Sequence, residues 1–321
     1  MPHARPSASS SAEKPDLRGS LVPLLCLGGA VLFWGVSFLA TKTALNAGFS
    51  PMTVVWLRMM VATLVFAPFW RRLPKPDRRP GDLKWVGLAC LLQAGIYYLA
   101  ENYAIRLTTS SQAGVISAIV PLLVAAGAWL LLHERITGRT VAGIALSVAG
   151  VAALSAGAAA AASAPNPALG NSLEVVAMIS AAGATLAIKR LLGRWDPWLL
   201  TGLQSLFGAV FFLPGALASN PMTWRTVPLI AWLAVLFLGV FVSLAAFGLY
   251  NMAMVRMPAS RASIAINAVP LVALLAGWML GGETLGVVQI GGCVAIAAGV
   301  VLAQIGGDVG PEIDTGLAEG S

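Results

Sequence analysis

The run ENYAIRLTTSSQAGVISAIVPLLVAAGAWLLLHERIT (101–137) decides the fold, because it returns in altered form as NMAMVRMPASRASIAINAVPLVALLAGWMLGGETL (251–285). A shift of 149 residues superposes the two without a gap. Asn102 meets Asn251, Ser111 meets Ser260, VPL at 120–122 meets VPL at 269–271, Trp129 meets Trp278 and Glu134 meets Glu283. Beyond them Gly143 meets Gly292, and Ala149-Gly150-Val151 meets Ala298-Gly299-Val300. Upstream, a shift of 146 carries Pro51, Arg58, Phe66 and Pro68 onto Pro197, Gln204, Phe212 and Pro214, and one near 147 carries Lys42 onto Lys189. Self-similarity at this period marks two copies of one structural unit.

Each copy is largely apolar. Of 321 residues 58% are hydrophobic and only 10% charged, against about 25% charged in soluble domains. That excludes an ordinary soluble enzyme. A bilayer core of about 30 Å takes about 20 residues of helix. Ten runs of spanning length follow one another at 21–41, 52–70, 85–105, 112–132, 140–160, 173–190, 198–218, 229–252, 262–281 and 287–305. The expected fold is therefore an all-α polytopic membrane protein of ten transmembrane helices in two five-helix repeats. Because five is odd, the second repeat enters the membrane inverted, about a pseudo-twofold axis in the membrane plane. Such a scaffold opens to either side at similar energy, which is the physical basis of alternating access.

The expected organisation is a disordered N-terminus (1–20), a first repeat (21–160), a linker (161–172), a second repeat (173–305) and a disordered acidic tail (306–321). The net charge of +7 has no aromatic-interleaved basic face, so nucleic acid is not an expected partner. With the N-terminus inside, sixteen Lys and Arg fall in cytoplasmic segments, while Lys42, Arg106 and Arg225 lie outside. That asymmetry predicts cytoplasmic termini in a plasma (inner) membrane protein, with the first span an uncleaved helix. Cys26, Cys90 and Cys293 lie in apolar runs without CxxC spacing, and His3 and His133 stand apart. No metal site, disulfide or cofactor is expected. No catalytic constellation or phosphate loop is found either, so accumulation would draw on an ion gradient or the solute's own.

FWGVSFLATK (33–42), SPMTVVWLRMMVATL (50–64), the two long runs quoted above, GIALSVAGV (143–151) and GGCVAIAAGVVL (291–302) together resemble the paired EamA repeats of the drug/metabolite transporter superfamily. The resemblance implies a ten-helix carrier of small metabolites, with a central cavity lined by helices 1, 3, 4, 6, 8 and 9. One departure stands out. The sixth span, LEVVAMISAAGATLAIKRLL (173–192), lacks the tryptophan that members often carry where the first has Trp34, so that wall is expected to be smaller and less aromatic.

Ionisable residues inside spans are costly and point to function. In the third span Gln93, Tyr97 and Glu101 recur every four residues and are expected on one face, with Tyr98 and Asn102 beside it. Glu101 reads as a proton-coupling or substrate-amine group with Arg58 or Lys42 as counter-ion; the plainer reading is a structural ion pair, with Arg58 snorkelling outward. Trp34, Ser37, Phe38 and Thr41 share a face of the first span, suited to an amphipathic solute or simply to helix packing. Asn251, Ser263 and Asn267 are expected on the cavity wall, opposed in the first repeat by Ser117 beside Ala118. Pro121 and Pro270 are expected to kink their helices. Glu134 and Glu283 read as carboxylates favoured by the dipoles of the fifth and tenth helices. Gly143, Gly150, Gly292 and Gly299 predict close packing of those helices with another subunit or with each other, in a monomer or homodimer. The function so read is secondary transport of small organic solutes through the lipid bilayer, chiefly efflux of amino-acid-like or amphipathic metabolites, with protons as possible coupling ions. The alternatives are an importer or exchanger of a sugar or nucleoside-type solute and, from another class, a polytopic enzyme or lipid-handling protein.

Overall fold

A computed structural model describes residues 17–107, 116–156, 166–219, 226–281 and 286–304. Every element named among them is a helix. In chain order these are α1 (Leu17–Asn46), α2 (Pro51–Phe66, running into a 3-10 stretch Ala67–Arg72), α3 (Asp82–Cys90, Leu91–Tyr97 and Tyr98–Leu107), α4 (Val120–Leu132) and α5 (Gly138–Ala156). The second series is α6 (Pro167–Leu191), α7 (Pro197–Phe211 with Leu213–Leu217), α8 (Leu229–Phe237, Leu238–Ala246 and Phe247–Arg256), α9 (Ala259–Ile264, Ala265–Ala268 and Val269–Gly281) and α10 (Val287–Gln304). Among the described residues five helices are long and apolar enough to cross a membrane, and five shorter apolar helices accompany them. Large apolar side chains such as Leu130, Val210, Leu217, Leu229 and Val287 face outward, more than 60% exposed. Such a surface suits lipid and not water. The chain is an all-α polytopic membrane protein.

Equivalent helices start in the same way. Ser50 caps α2, its Oγ accepting from the Thr53 N–H at 3.1 Å, and Pro51 follows. Asp196 caps α7 by accepting from the Trp198 and Leu199 N–H groups at 2.8 and 3.1 Å, and Pro197 follows. A capping oxygen satisfies an orphan donor, and proline at the first position loses nothing. The same device explains an early start. Asn166 accepts from the Leu169 N–H at 3.2 Å and Pro167 follows, so α6 begins six residues before the apolar run that predicted it.

The pseudo-twofold is visible where α5 and α10 cross. A Cβ on Gly143 would lie 2.7 Å from the Gly299 carbonyl oxygen, and one on Gly150 would lie 2.8 Å from that of Gly292. The 149-residue shift maps Gly143 to Gly292 and Gly150 to Gly299, so each contact is the image of the other. The glycines thus join the two repeats of one chain. At the crossing lies a polar contact without a mate: Asn267 Nδ2 donates to Ser147 Oγ at 2.7 Å, whereas the equivalent pair, Ala118 and Ile296, meets in an apolar cluster.

A second junction holds the α2–α3 connection to the α6–α7 connection. Buried Asp82 accepts from Arg194 Nη2 at 2.7 Å, Trp195 Nε1 at 3.0 Å and the Arg79 N–H at 3.0 Å. Arg78 and Arg190 cover the Trp195 and Trp85 rings on either side.

Candidate functional site

The middle of α3 and the middle of α8 are both π-helical, over Leu91–Tyr97 and Leu238–Ala246. The repeat shift carries the first segment onto 240–246, inside the second. π-turns are rare and concentrate at functional sites, and here they flank one polar pocket. Gln93, Tyr98, Thr201, Gln204, Ser205 and Ser243 line it, around a cavity of about 10 Å³, room for about one water. Arg58, only 9% exposed, stands beside it; its Nε donates to Ser243 Oγ at 2.7 Å, and its guanidinium lies 5.2 Å from the centre of the Tyr98 ring. Its repeat equivalent is Gln204, so the two fill matching places on α2 and α7.

Beyond the pocket the two repeats present unlike walls. On one, Trp34 packs against Phe247 and Tyr250 with ring centroids 5.2 and 5.4 Å apart. The shifts carry Trp34 onto Ala181, Tyr250 onto Glu101 and Phe247 onto Tyr98. The matching places in the other repeat are accordingly small where these are bulky, and acidic where these are aromatic. There Tyr97 donates its hydroxyl to Glu101 Oε1 at 2.5 Å. Across from it on α6 stands Glu174, a second carboxylate, 3% exposed.

Several expected site residues take other places. Along α3, Gln93 joins Tyr98 at the pocket through the π-helical turn, while Tyr97 reaches Glu101 one turn further on. Arg58 neither snorkels nor pairs with Glu101. Ser243 and Tyr98 draw it inward, and Arg194–Asp82 is the ion pair found among the described residues. Asn251 is buried and donates to Thr201 Oγ1 at 3.0 Å. Ser263 donates to the Ser260 carbonyl at 3.0 Å, and Asn267 to Ser147. Asn251 and Asn267 thus tie their helices to α7 and α5, while the Ser263 bond stays within α9 and the Asn267 Oδ1 is buried without a partner among the described residues. Asn102 donates to the Tyr98 carbonyl at 2.7 Å and borders a separate cavity of about 220 Å³ with Ser50, Tyr103 and Ser219.

Ser37 donates to the Trp34 carbonyl at 2.6 Å, and Thr41 and Ser117 are half-buried. Pro270 is the second residue of its segment, after the 3-10 turn Ala265–Ala268, and Pro121 is the second residue of α4. The backbone is thus interrupted just before each proline. The Lys42 side chain, Glu283 and the two chain ends lie outside the described residues.

Glu134 serves a different helix from the expected one. It accepts from the Ala259 N–H at 2.8 Å, the Ser260 N–H at 3.2 Å and Ser260 Oγ at 2.8 Å, and so caps α9 of the other repeat. The α4–α5 connection turns through His133 at φ 53°, which aims the carboxylate away from α5. Next to this, Lys189 Nζ donates to the Met254 and Met257 carbonyls at 2.6 and 2.8 Å, closing the end of α8. The two residues lock the α8–α9 corner. Sequence spacing missed both roles, and it missed Glu174 because the predicted span opened at 173 and left that residue at its mouth.

Inverted repeats around buried polar groups define a membrane transport scaffold. The EamA-like transporter family model matches residues 21–156 and again 168–304, and the chain belongs to that family. It is 30% identical over 212 residues to the uncharacterized transporter YetK of Bacillus subtilis (strain 168), covering 65% of this chain and 64% of that one. An uncharacterized transporter of Archaeoglobus fulgidus is 27% identical over 87% of this chain and 97% of its own. A probable terminal-alkyne amino-acid exporter of Streptantibioticus cattleyicolor is 25% identical over 85% and 90%. A solved crystal structure of 22% identity superposes with a TM-score of 0.74, over 89% of this chain and 99% of that one. The protein is an integral multi-pass membrane transporter.

Proposed function

We propose that the protein is a secondary carrier that exports small amphipathic, amine-bearing metabolites of amino-acid type by alternating access, with both termini cytoplasmic. The observation that carries this is the pair of unlike walls. An apolar side chain would rest against Trp34, Phe247 and Tyr250, and an ammonium group against Glu101. The amino-acid exporter among the relatives supports the same substrate class. The Lys and Arg asymmetry of the connections supports the orientation.

Alternating access follows from the inverted repeat, whose two states differ in which end is locked. The Glu134 and Lys189 contacts close the α8–α9 end, and opening that end requires them to part. The interruptions before Pro121 and Pro270 are the natural hinges for that motion.

The test is flux into proteoliposomes of a panel of amino acids, sugars and cationic amphipaths, with and without a pH gradient. Transport of amine-bearing amphipaths with loss in Glu101→Gln supports the reading. Transport of sugars alone favours the alternative carrier, and movement of no solute refutes a transport role for the cavity.

A further inference from the structure

We propose that Glu174 and Glu101 form a two-carboxylate proton site, in which Glu174 carries the exchanged proton and Glu101 stays ionised. The inference rests on the transport reading above and names its coupling ion.

Helices α3 and α6 run antiparallel in a register set at two points. The Asn166 N–H donates to the Leu107 carbonyl at 3.2 Å, and Ser180 Oγ donates to the Leu92 carbonyl at 3.0 Å. That register sets Glu174 between the levels of Tyr97 and Glu101. Glu174 is 3% exposed, and its Oε2 has no hydrogen-bond partner. An ionised carboxylate with a bare oxygen in such a place is costly.

The groups around it decide which oxygen holds the proton. From α3, Tyr97 donates to Glu101 and not to Glu174. From α2, Arg58 is taken up by Ser243 and the Tyr98 ring. The register brings Glu101, a group of the same sign, close to Glu174. Of two buried carboxylates so placed, the one that accepts a hydrogen bond bears a charge at lower cost. Glu101 accepts from Tyr97 whereas Glu174 Oε2 has no partner, so the proton belongs to Glu174.

Exchange then balances. When the site opens, the O–H bond of Glu174 breaks and its proton passes to water, while the ammonium of an entering solute supplies the lost positive charge. Departure of that solute lets Glu174 take a proton from water on the other side. One positive charge replaces another throughout, and no empty return with two bare carboxylates is needed.

The experiment uses the full chain reconstituted in lipid without solute. Infrared difference spectra across a pH titration should contain a protonated-carboxyl band that disappears in Glu174→Gln, persists in Glu174→Asp and moves in Tyr97→Phe. In flux, Glu174→Gln should keep exchange of labelled against unlabelled solute but lose at least about tenfold of the accumulation driven by a proton gradient. A band unchanged in Glu174→Gln, or gradient-driven accumulation that survives in it, overturns the proposal. If the band behaves as stated and the wild type moves no solute, the transport reading fails while the proton site stands.

Discussion

Removing the Glu134 carboxylate should loosen the α8–α9 end of the protein. Glu134→Ala deletes three hydrogen bonds to the start of α9, two from backbone N–H groups and one from Ser260. Charge-assisted bonds contribute about 1.5–3 kcal/mol when buried, but Glu134 is half-exposed, and solvent reduces each to about 1 kcal/mol or less. Three together hold this end closed by about 2–3 kcal/mol, and at about 1.4 kcal/mol per decade their loss raises the open population about 30–140-fold. The reporter is Ser263→Cys, a near-isosteric change at a position 0% exposed, in a chain with Cys26, Cys90 and Cys293 replaced. Labelling by a membrane-impermeant maleimide should accelerate by that factor in Glu134→Ala and by less in Glu134→Gln, which keeps an acceptor. Equal labelling rates with and without Glu134 would refute the idea that this contact bridges the repeats as a lock.

Three further outcomes follow from the packing. Gly150→Ala places a methyl 2.7 Å from the Ile296 backbone nitrogen, where neither helix can give way, and should cost about 1–3 kcal/mol, seen as a lower midpoint for retention of the folded peak on heating in detergent. Asp82→Ala strips Arg194, Trp195 and Arg79 of their shared acceptor and should destabilise by about 2–4 kcal/mol, read as an earlier denaturant midpoint with the helix content at rest unchanged. A double-mutant cycle over Ser147→Ala and Asn267→Ala should return a coupling of about 0.5–1.5 kcal/mol, the scale of hydrogen bonds within membranes; a coupling near zero would mean the contact has no energetic role.

The repeat and the ten apolar runs were readable because both are properties of the chain taken in order: VPL, the tryptophans and the glycines return at a constant offset whatever their surroundings. Helix ends were less readable. Asn166 and Pro167 start α6 inside a stretch rich in alanine and proline that reads as a linker, and only the cap geometry reveals it. The site suffered most where periodicity was assumed. The π-turn over Leu91–Tyr97, which carries Gln93 to the pocket beside Tyr98, is a response to packing that local sequence does not announce. Glu174 is a lone carboxylate six residues before the small-residue run that follows it, and it gains meaning only from α3 beside it. Glu134 shows the same thing at long range, since its true partner lies 125 residues away in the other repeat.

Exchange of an amine-bearing amphipath for a proton at Glu101 and Glu174 can be followed with a pH-sensitive dye trapped inside proteoliposomes of the wild-type chain. Addition of a transported cationic amphipath outside should draw protons out and alkalinise the lumen, in proportion to solute uptake, and both Glu174→Gln and Glu101→Gln should abolish that signal. Solute uptake with no change in internal pH, or a pH signal that survives in Glu174→Gln, would contradict the account.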